Sequence, residues 1–229
     1  MPFIPYKPLR NILRWCIPFV GVPLLVFLSA VIFVDKRYLI LSFGIAFLSL
    51  VLFWCGYEKK VVGSRRMVLA AVLTALCVAG RMIPLLKPVS ALVILTGIYL
   101  GGETGFLVGA LSALLSNFYF GQGPWTPFQM LAWGLIGLFA GVFSRFLRRK
   151  PVLLGYGAVS GVLFSAIMDV WTVLWYNGTF QFSLYAAALW TAVPYTVLYL
   201  VSNVFFLWLL AKPIGKKLDR IVQKYGVGS

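Results

Sequence analysis

Eight apolar runs, most of them uncharged, dominate this sequence and constrain it more than any motif does. They lie at about 12–34, 38–56, 67–83, 90–100, 104–116, 127–146, 152–176 and 182–211. Several are about 18 residues or longer, enough to cross a hydrocarbon core of about 30 Å as helix. A chain in lipid must satisfy its own backbone, which leaves helices or a closed barrel. The apolar runs are continuous rather than alternating, so a barrel is excluded. The expected fold is an all-α polytopic membrane protein. With 62% hydrophobic and only 11% charged residues, the 229-residue chain is far from the balance of a soluble domain.

The charges then set the expected topology. Sixteen of the twenty Lys and Arg fall in segments that share one side if the N-terminus is cytoplasmic. They are Lys7, Arg10, Arg14; Lys59, Lys60, Arg65, Arg66; Arg145, Arg148, Arg149, Lys150; and Lys212, Lys216, Lys217, Arg220, Lys224. The other side holds Lys36, Arg37, Arg81 and Lys87. This asymmetry predicts a cell-membrane protein with both termini cytoplasmic. The net charge of +15 is thereby read as membrane flanks, and no nucleic-acid partner is expected. The chain has no His, and its three Cys are far apart, so neither a metal nor a cofactor is expected. The N-terminal basic flank and apolar run lack a small-residue cleavage site and read as a retained span.

The segment "SNFYFGQGPWTPFQMLAWG" at 116–134 falls on the outer side of this topology. Pro124 and Pro127 stiffen it, and Gly121 and Gly123 allow sharp turns. Asn117, Gln122 and Gln129 offer neutral hydrogen bonds; Phe118, Tyr119, Phe120 and Trp125 offer flat apolar surface. Two readings stand side by side: a lid over an outward pocket, or an interfacial aromatic belt.

Asp169 lies eight residues before Asn177, roughly 12 Å below the outer end of its span. A carboxylate there costs on the order of 2.5–3.5 kcal/mol and should face protein or water. It reads as a ligand acceptor or coupling-ion site; the alternative is a structural pair with Arg81 or a neighbouring Tyr. Gln129 and Trp133 share a face of the sixth run, and Trp175, Tyr176 and Tyr195 lie near the same outer level. Apolar walls with a few placed polar groups are what a small-molecule site needs. The expected substrate-binding set is Asn117, Gln122, Trp125, Gln129, Trp133, Asp169, Trp175, Tyr176 and Tyr195. Glycines at 101, 105 and 109, at 137 and 141, and at 157 and 161 are expected to pack helices closely within the bundle. Ala71, Ala75 and Ala79 form a similar stripe.

From about residue 65 onward the chain is similar to the substrate-binding S component of energy-coupling factor (ECF) vitamin transporters. The resemblance rests on "RRMVLAAVLTALCVAGR", "YLGGETGFLVGALSALLSNF" and "GQGPWTPFQMLAWGLIGLFAG". It implies a six-helix S-component-like core at 61–229, preceded by two extra transmembrane helices at 1–60. It implies a vitamin bound from outside, under the loops "RMIPLLKPV" and "GQGPWTPFQM". It further implies docking of Ala71, Ala75 and Ala79 onto a membrane-embedded T subunit, with two ATP-binding subunits driving the cycle. No P-loop is present in this chain, as that division of labour requires. The "GQGPWTPFQM" loop resembles S components for cobalamin or a related corrinoid. A wide, uncharged, aromatic pocket suits such a ligand, and also riboflavin or a queuosine precursor.

Two other functions are weighed against this one. An intramembrane lipid or prenyl transferase would need paired acids, yet Asp169 and Glu103 fall at opposite membrane faces. A scaffold or channel would leave the aromatic loop as a belt.

Overall fold

The computed structural model describes residues 6–31, 37–56 and 63–225. Lys36, Lys59 and Lys60, which enter the charge asymmetry, lie outside the described residues. Among those described, every regular element is helical.

The first apolar run is α1 (Lys7–Cys16), a π-helical turn (Ile17–Gly21) and α2 (Val22–Val31) in one rod. Pro18 sits at the start of the π turn; it has no amide to donate, and the ladder slips by one residue to accommodate it. Next come α3 (Arg37–Cys55), α4 (Gly63–Gly80), α5 (Val89–Leu100), α6 (Gly102–Phe120) and α7 (Thr126–Val142). The short α8 (Ser144–Leu147) leads into α9 (Lys150–Asn177), α10 (Phe182–Thr191) and α11 (Val193–Tyr225).

Helices occupy all eight expected runs, four of them long and apolar enough to cross a membrane among the described residues, and α7 and α8 divide the sixth run at Phe143. Two further differences have a clear physical cause. The fifth run was expected to end at residue 116, but α6 continues to Phe120. No Gly or Pro intervenes before Gly121, whose φ of 100° then ends the helix. The eighth run divides at Ala192, because Pro194 has no amide to donate to Trp190 one turn back. Beyond it, α11 carries Pro213 in its interior and continues through the basic tail to Tyr225.

The core is built from α5, α6 and α7, whose glycines sit at the crossings. A Cβ at Gly105 would collide with the Gly137 carbonyl, and one at Gly137 with the Gly105 carbonyl. Gly109 meets the Trp133 carbonyl, and Gly141 meets the Gly102 backbone. On α9, Gly161 lies against the α11 backbone at Leu200. Lipid offers no hydrophobic drive between helices, so such backbone approach is what holds them together. Gly137→Val is expected to cost at least about 3 kcal/mol, since backbone on both sides has no room to move. Loss of a monodisperse peak in detergent gel filtration is the measurement.

The N-terminal helices pack on α6 and α7: α3 lies mainly against α6, and α2 against α3 and α7. At one end Arg14 of α1 forms an ion pair with Glu103 of α6, its Nε donating to Oε1 at 2.7 Å. Nearby, buried Arg66 donates to Thr104 Oγ1 at 2.7 Å and to the Leu100 carbonyl. Arg148 meets Asp219 at 3.3 Å, joining α8 to the end of α11.

Candidate functional site

At the opposite end of the bundle, the end expected outside, polar and aromatic side chains converge. The connection 81–88 lies at this end. The Lys87 N–H donates to Ser202 Oγ at 2.8 Å, and Ser202 donates to the Lys87 carbonyl at 2.9 Å. Ser202 lies in α11, about three turns past the break at Ala192, so the pair ties the 81–88 connection to that helix. Pro84 and Pro88 bar helix here, and Leu85 adopts a φ of 63°, so α5 starts only at Val89 and is short.

Arg81 is the centre. Its Nη1 donates to Ser116 Oγ at 2.5 Å and to Asn117 Oδ1 at 2.6 Å, and Nη2 donates to Gln129 Oε1 at 3.4 Å. Its guanidinium sits 5.1 Å from the Phe120 ring centroid and 5.2 Å from that of Trp133.

The 121–125 turn is anchored from within. Asn117 Nδ2 donates to Thr126 Oγ1 at 2.8 Å and to Gln129 Oε1 at 2.9 Å. Gln122 Nε2 donates to the Leu114 carbonyl at 2.8 Å, and Thr126 donates to Gln122 Oε1 at 3.1 Å. Trp125 packs edge-on to Trp171, with centroids 5.7 Å apart, and Trp171 stacks on Trp175. Deeper, Trp133 donates to Ser90 Oγ at 3.2 Å and stacks on Phe164, centroids 4.9 Å apart; Phe164 in turn meets the edge of Tyr199.

Two polar atoms here are buried without a partner: Asp169 Oδ2 and Trp171 Nε1. Asp169 is 7% exposed, and no hydrogen bond joins it to Arg81. One acceptor and one donor are thus left open beside aromatic surface, and open buried polar atoms cost stability unless something binds them.

Of the nine residues expected from sequence, the structure brings together Asn117, Gln122, Trp125, Gln129, Trp133 and Asp169. It does not enclose the other three. Trp175 is 51% exposed, Tyr176 83% and Tyr195 68%, although Trp175 still stacks on Trp171. Tyr176 follows Asp169 by seven residues and shares its face by spacing, yet it lies in the last turn of α9, where the side chain stays exposed. The pocket expected to be uncharged has Arg81 at its heart. Arg81, Ser90, Thr126, Phe164, Trp171 and Tyr199 were absent from the expected set. A signal existed for two of the missed aromatics: Phe164 and Trp171 precede the expected Trp175 by eleven and four residues, one stripe of a helix.

The alanine stripe of α4 is exposed along its whole length: Ala71, Ala75 and Ala79, with Val68, Val72 and Leu76 beside them. The N-terminal helices pack elsewhere and leave it open.

Fold and site together define a class: an all-helical polytopic membrane protein with a cluster of polar and aromatic side chains at one end of its bundle. The family model for "ECF-type riboflavin transporter, S component" matches residues 62–220, and the chain belongs to that family. The family is one of transporter subunits, which makes this chain a vitamin-capture component of an ECF importer. Neither the curated proteins nor the solved structures contain a match.

Proposed function

We propose that this chain captures riboflavin at the Arg81 end of the bundle, from outside the cell, and delivers it by docking α4 on a membrane-embedded T subunit. What supports the vitamin is the pair of open groups, Asp169 Oδ2 and Trp171 Nε1, set among stacked aromatics. A flavin is a planar ring with an imide N–H between two carbonyls, and its ribityl chain adds hydroxyls. It can stack on the aromatic rings and donate its imide N–H to a carboxylate such as that of Asp169. The corrinoid reading, which drew on a wide and uncharged cup, loses ground to a guanidinium whose hydrogen bonds fill much of that space. The family's printed name points the same way.

The orientation follows from the positive-inside asymmetry. Two ATP-binding subunits and the T subunit complete the importer, and this chain contributes recognition alone.

Titrating riboflavin into the purified protein, read by flavin fluorescence, is expected to saturate at one per chain. Asp169→Ala and Trp133→Ala are each expected to weaken binding at least tenfold, roughly 1.4 kcal/mol. Unchanged affinity in both would move the site elsewhere. Saturable cobalamin binding with no riboflavin binding would overturn the vitamin and leave the family standing.

A further inference from the structure

A second cavity lies at the Glu103 end, remote from the vitamin site, between α5, α8, α9 and α11. It measures about 490 Å³, within the range of small-molecule sites. Three basic residues from three elements rim it: Arg148, Lys150 and Lys212. Two of them are braced by aromatic rings, Arg148 at 5.2 Å from the Tyr99 centroid and Lys150 at 5.4 Å from that of Trp208. Asp219, 3.3 Å from Arg148, is the one carboxylate paired to this rim among the described residues, so cationic charge is left over. Behind the rim the wall is apolar, with Ile98, Leu153 and Leu209.

The cavity does not stop at the rim. Trp208 also lines a shallow furrow of about 290 Å³ that runs along α11 beside Leu200, Val201, Val204 and Phe205. No polar residue lines that furrow. Trp208 itself is 57% exposed, at the junction of the two. Pro213 adds a further feature: it has no amide to donate to the Leu209 carbonyl one turn back, and both residues line the basic cavity. A hydrogen-bond acceptor is therefore released beside the cationic rim.

A basic chamber, a free acceptor and an apolar track leading from it into the membrane span match one chemistry. We propose that this cavity binds an anionic phospholipid with a hydroxylated headgroup, of the phosphatidylglycerol type. The phosphate sits on Arg148, Lys150 and Lys212, a headgroup hydroxyl donates toward the Leu209 carbonyl, and an acyl chain follows the furrow past Trp208. Basic pockets between transmembrane helices on the cytoplasmic side bind anionic headgroups by this physics. The furrow is what distinguishes a lipid from a soluble phosphate, which would use the rim and leave the furrow empty.

Native mass spectrometry of the full-length protein, released from detergent after incubation with defined lipids, tests this. Phosphatidylglycerol is expected to stay bound at one per chain, and phosphatidylcholine is not. The triple variant Arg148→Gln, Lys150→Gln, Lys212→Gln is expected to lower phosphatidylglycerol retention at least tenfold with riboflavin affinity unchanged. Trp208→Ser is expected to lower it severalfold by breaking the track. Should the triple variant fail to fold, the exposed single reversal Lys212→Glu carries the same expectation. Equal retention of both lipids, or full retention in the basic-site variants, overturns the proposal. Displacement of the lipid by millimolar inorganic phosphate, with Trp208→Ser behaving as wild type, identifies a soluble-anion pocket and also overturns it. The vitamin titration is a separate readout, so failure here leaves the transport reading intact.

Discussion

Ala75→Trp is expected to abolish vitamin uptake and co-purification of the T and ATP-binding subunits, while riboflavin binding stays within twofold of wild type. The stripe at Ala71, Ala75 and Ala79 lies on the exposed face of α4. Exposed apolar surface by itself is ordinary here, because lipid tails solvate it as well as Leu would. Small size is what carries information: alanines at four-residue spacing let a partner helix approach until backbones touch, and dispersion supplies the affinity. An indole in the middle of that track would hold the helices several ångströms apart, and dispersion falls steeply with such a gap. Binding is spared because Ala75 lies roughly 9 Å along the helix from Arg81 and on an exposed face. The measurement is pull-down of the partner subunits by the tagged chain, alongside the flavin titration. Normal pull-down would remove α4 as the docking helix.

Arg81→Met is expected to have the largest effect at the vitamin end. The guanidinium ties α6 to α7 through Ser116, Asn117 and Gln129, and it stands between the Phe120 and Trp133 rings. Met fills much of the volume and supplies none of the donors. Asn117 Oδ1 and Ser116 Oγ then lose their charged donor, at a cost of about 2–3 kcal/mol. A fall in melting temperature of roughly 4–12 °C follows for a chain of this size. The 121–125 turn hangs from Asn117 and Gln129, so riboflavin affinity should drop by more than tenfold as well. Arg81→Lys should recover only part of either loss, since one ammonium cannot copy a planar fork reaching three acceptors. Unchanged melting and affinity in Arg81→Met would show that the hub does not hold the pocket.

How much of this was legible in the chain differs between its levels. The helices follow from uncharged run length, and Gly105, Gly137 and Gly161 announced their crossings, because only a missing Cβ permits the approach observed. The depth of Asp169 was also readable, since rise per residue is fixed and Asn177 marks the helix end. What sequence could not supply was azimuth. Tyr176 and Tyr195 are largely exposed, and Trp171 was passed over two residues from Asp169. Side-chain direction depends on how α9 and α11 are rolled about their axes, and the contacts between them at Gly157, Gly161 and Asn203 constrain that roll. Arg81 was missed for another reason. In the sequence it is one more charge in a loop; only its contacts with Ser116, Asn117 and Gln129 show it turned inward.

The ion pair between Arg14 and Glu103 has a consequence for how this subunit was assembled. The family match begins at residue 62, yet Glu103, inside the match, is held by a guanidinium from well before it. The leading hairpin is therefore no detachable ornament. Removing the Arg14 guanidinium would leave a carboxylate at the edge of the bundle without this partner, so the leading helices and the matched region are electrostatically coupled at Glu103.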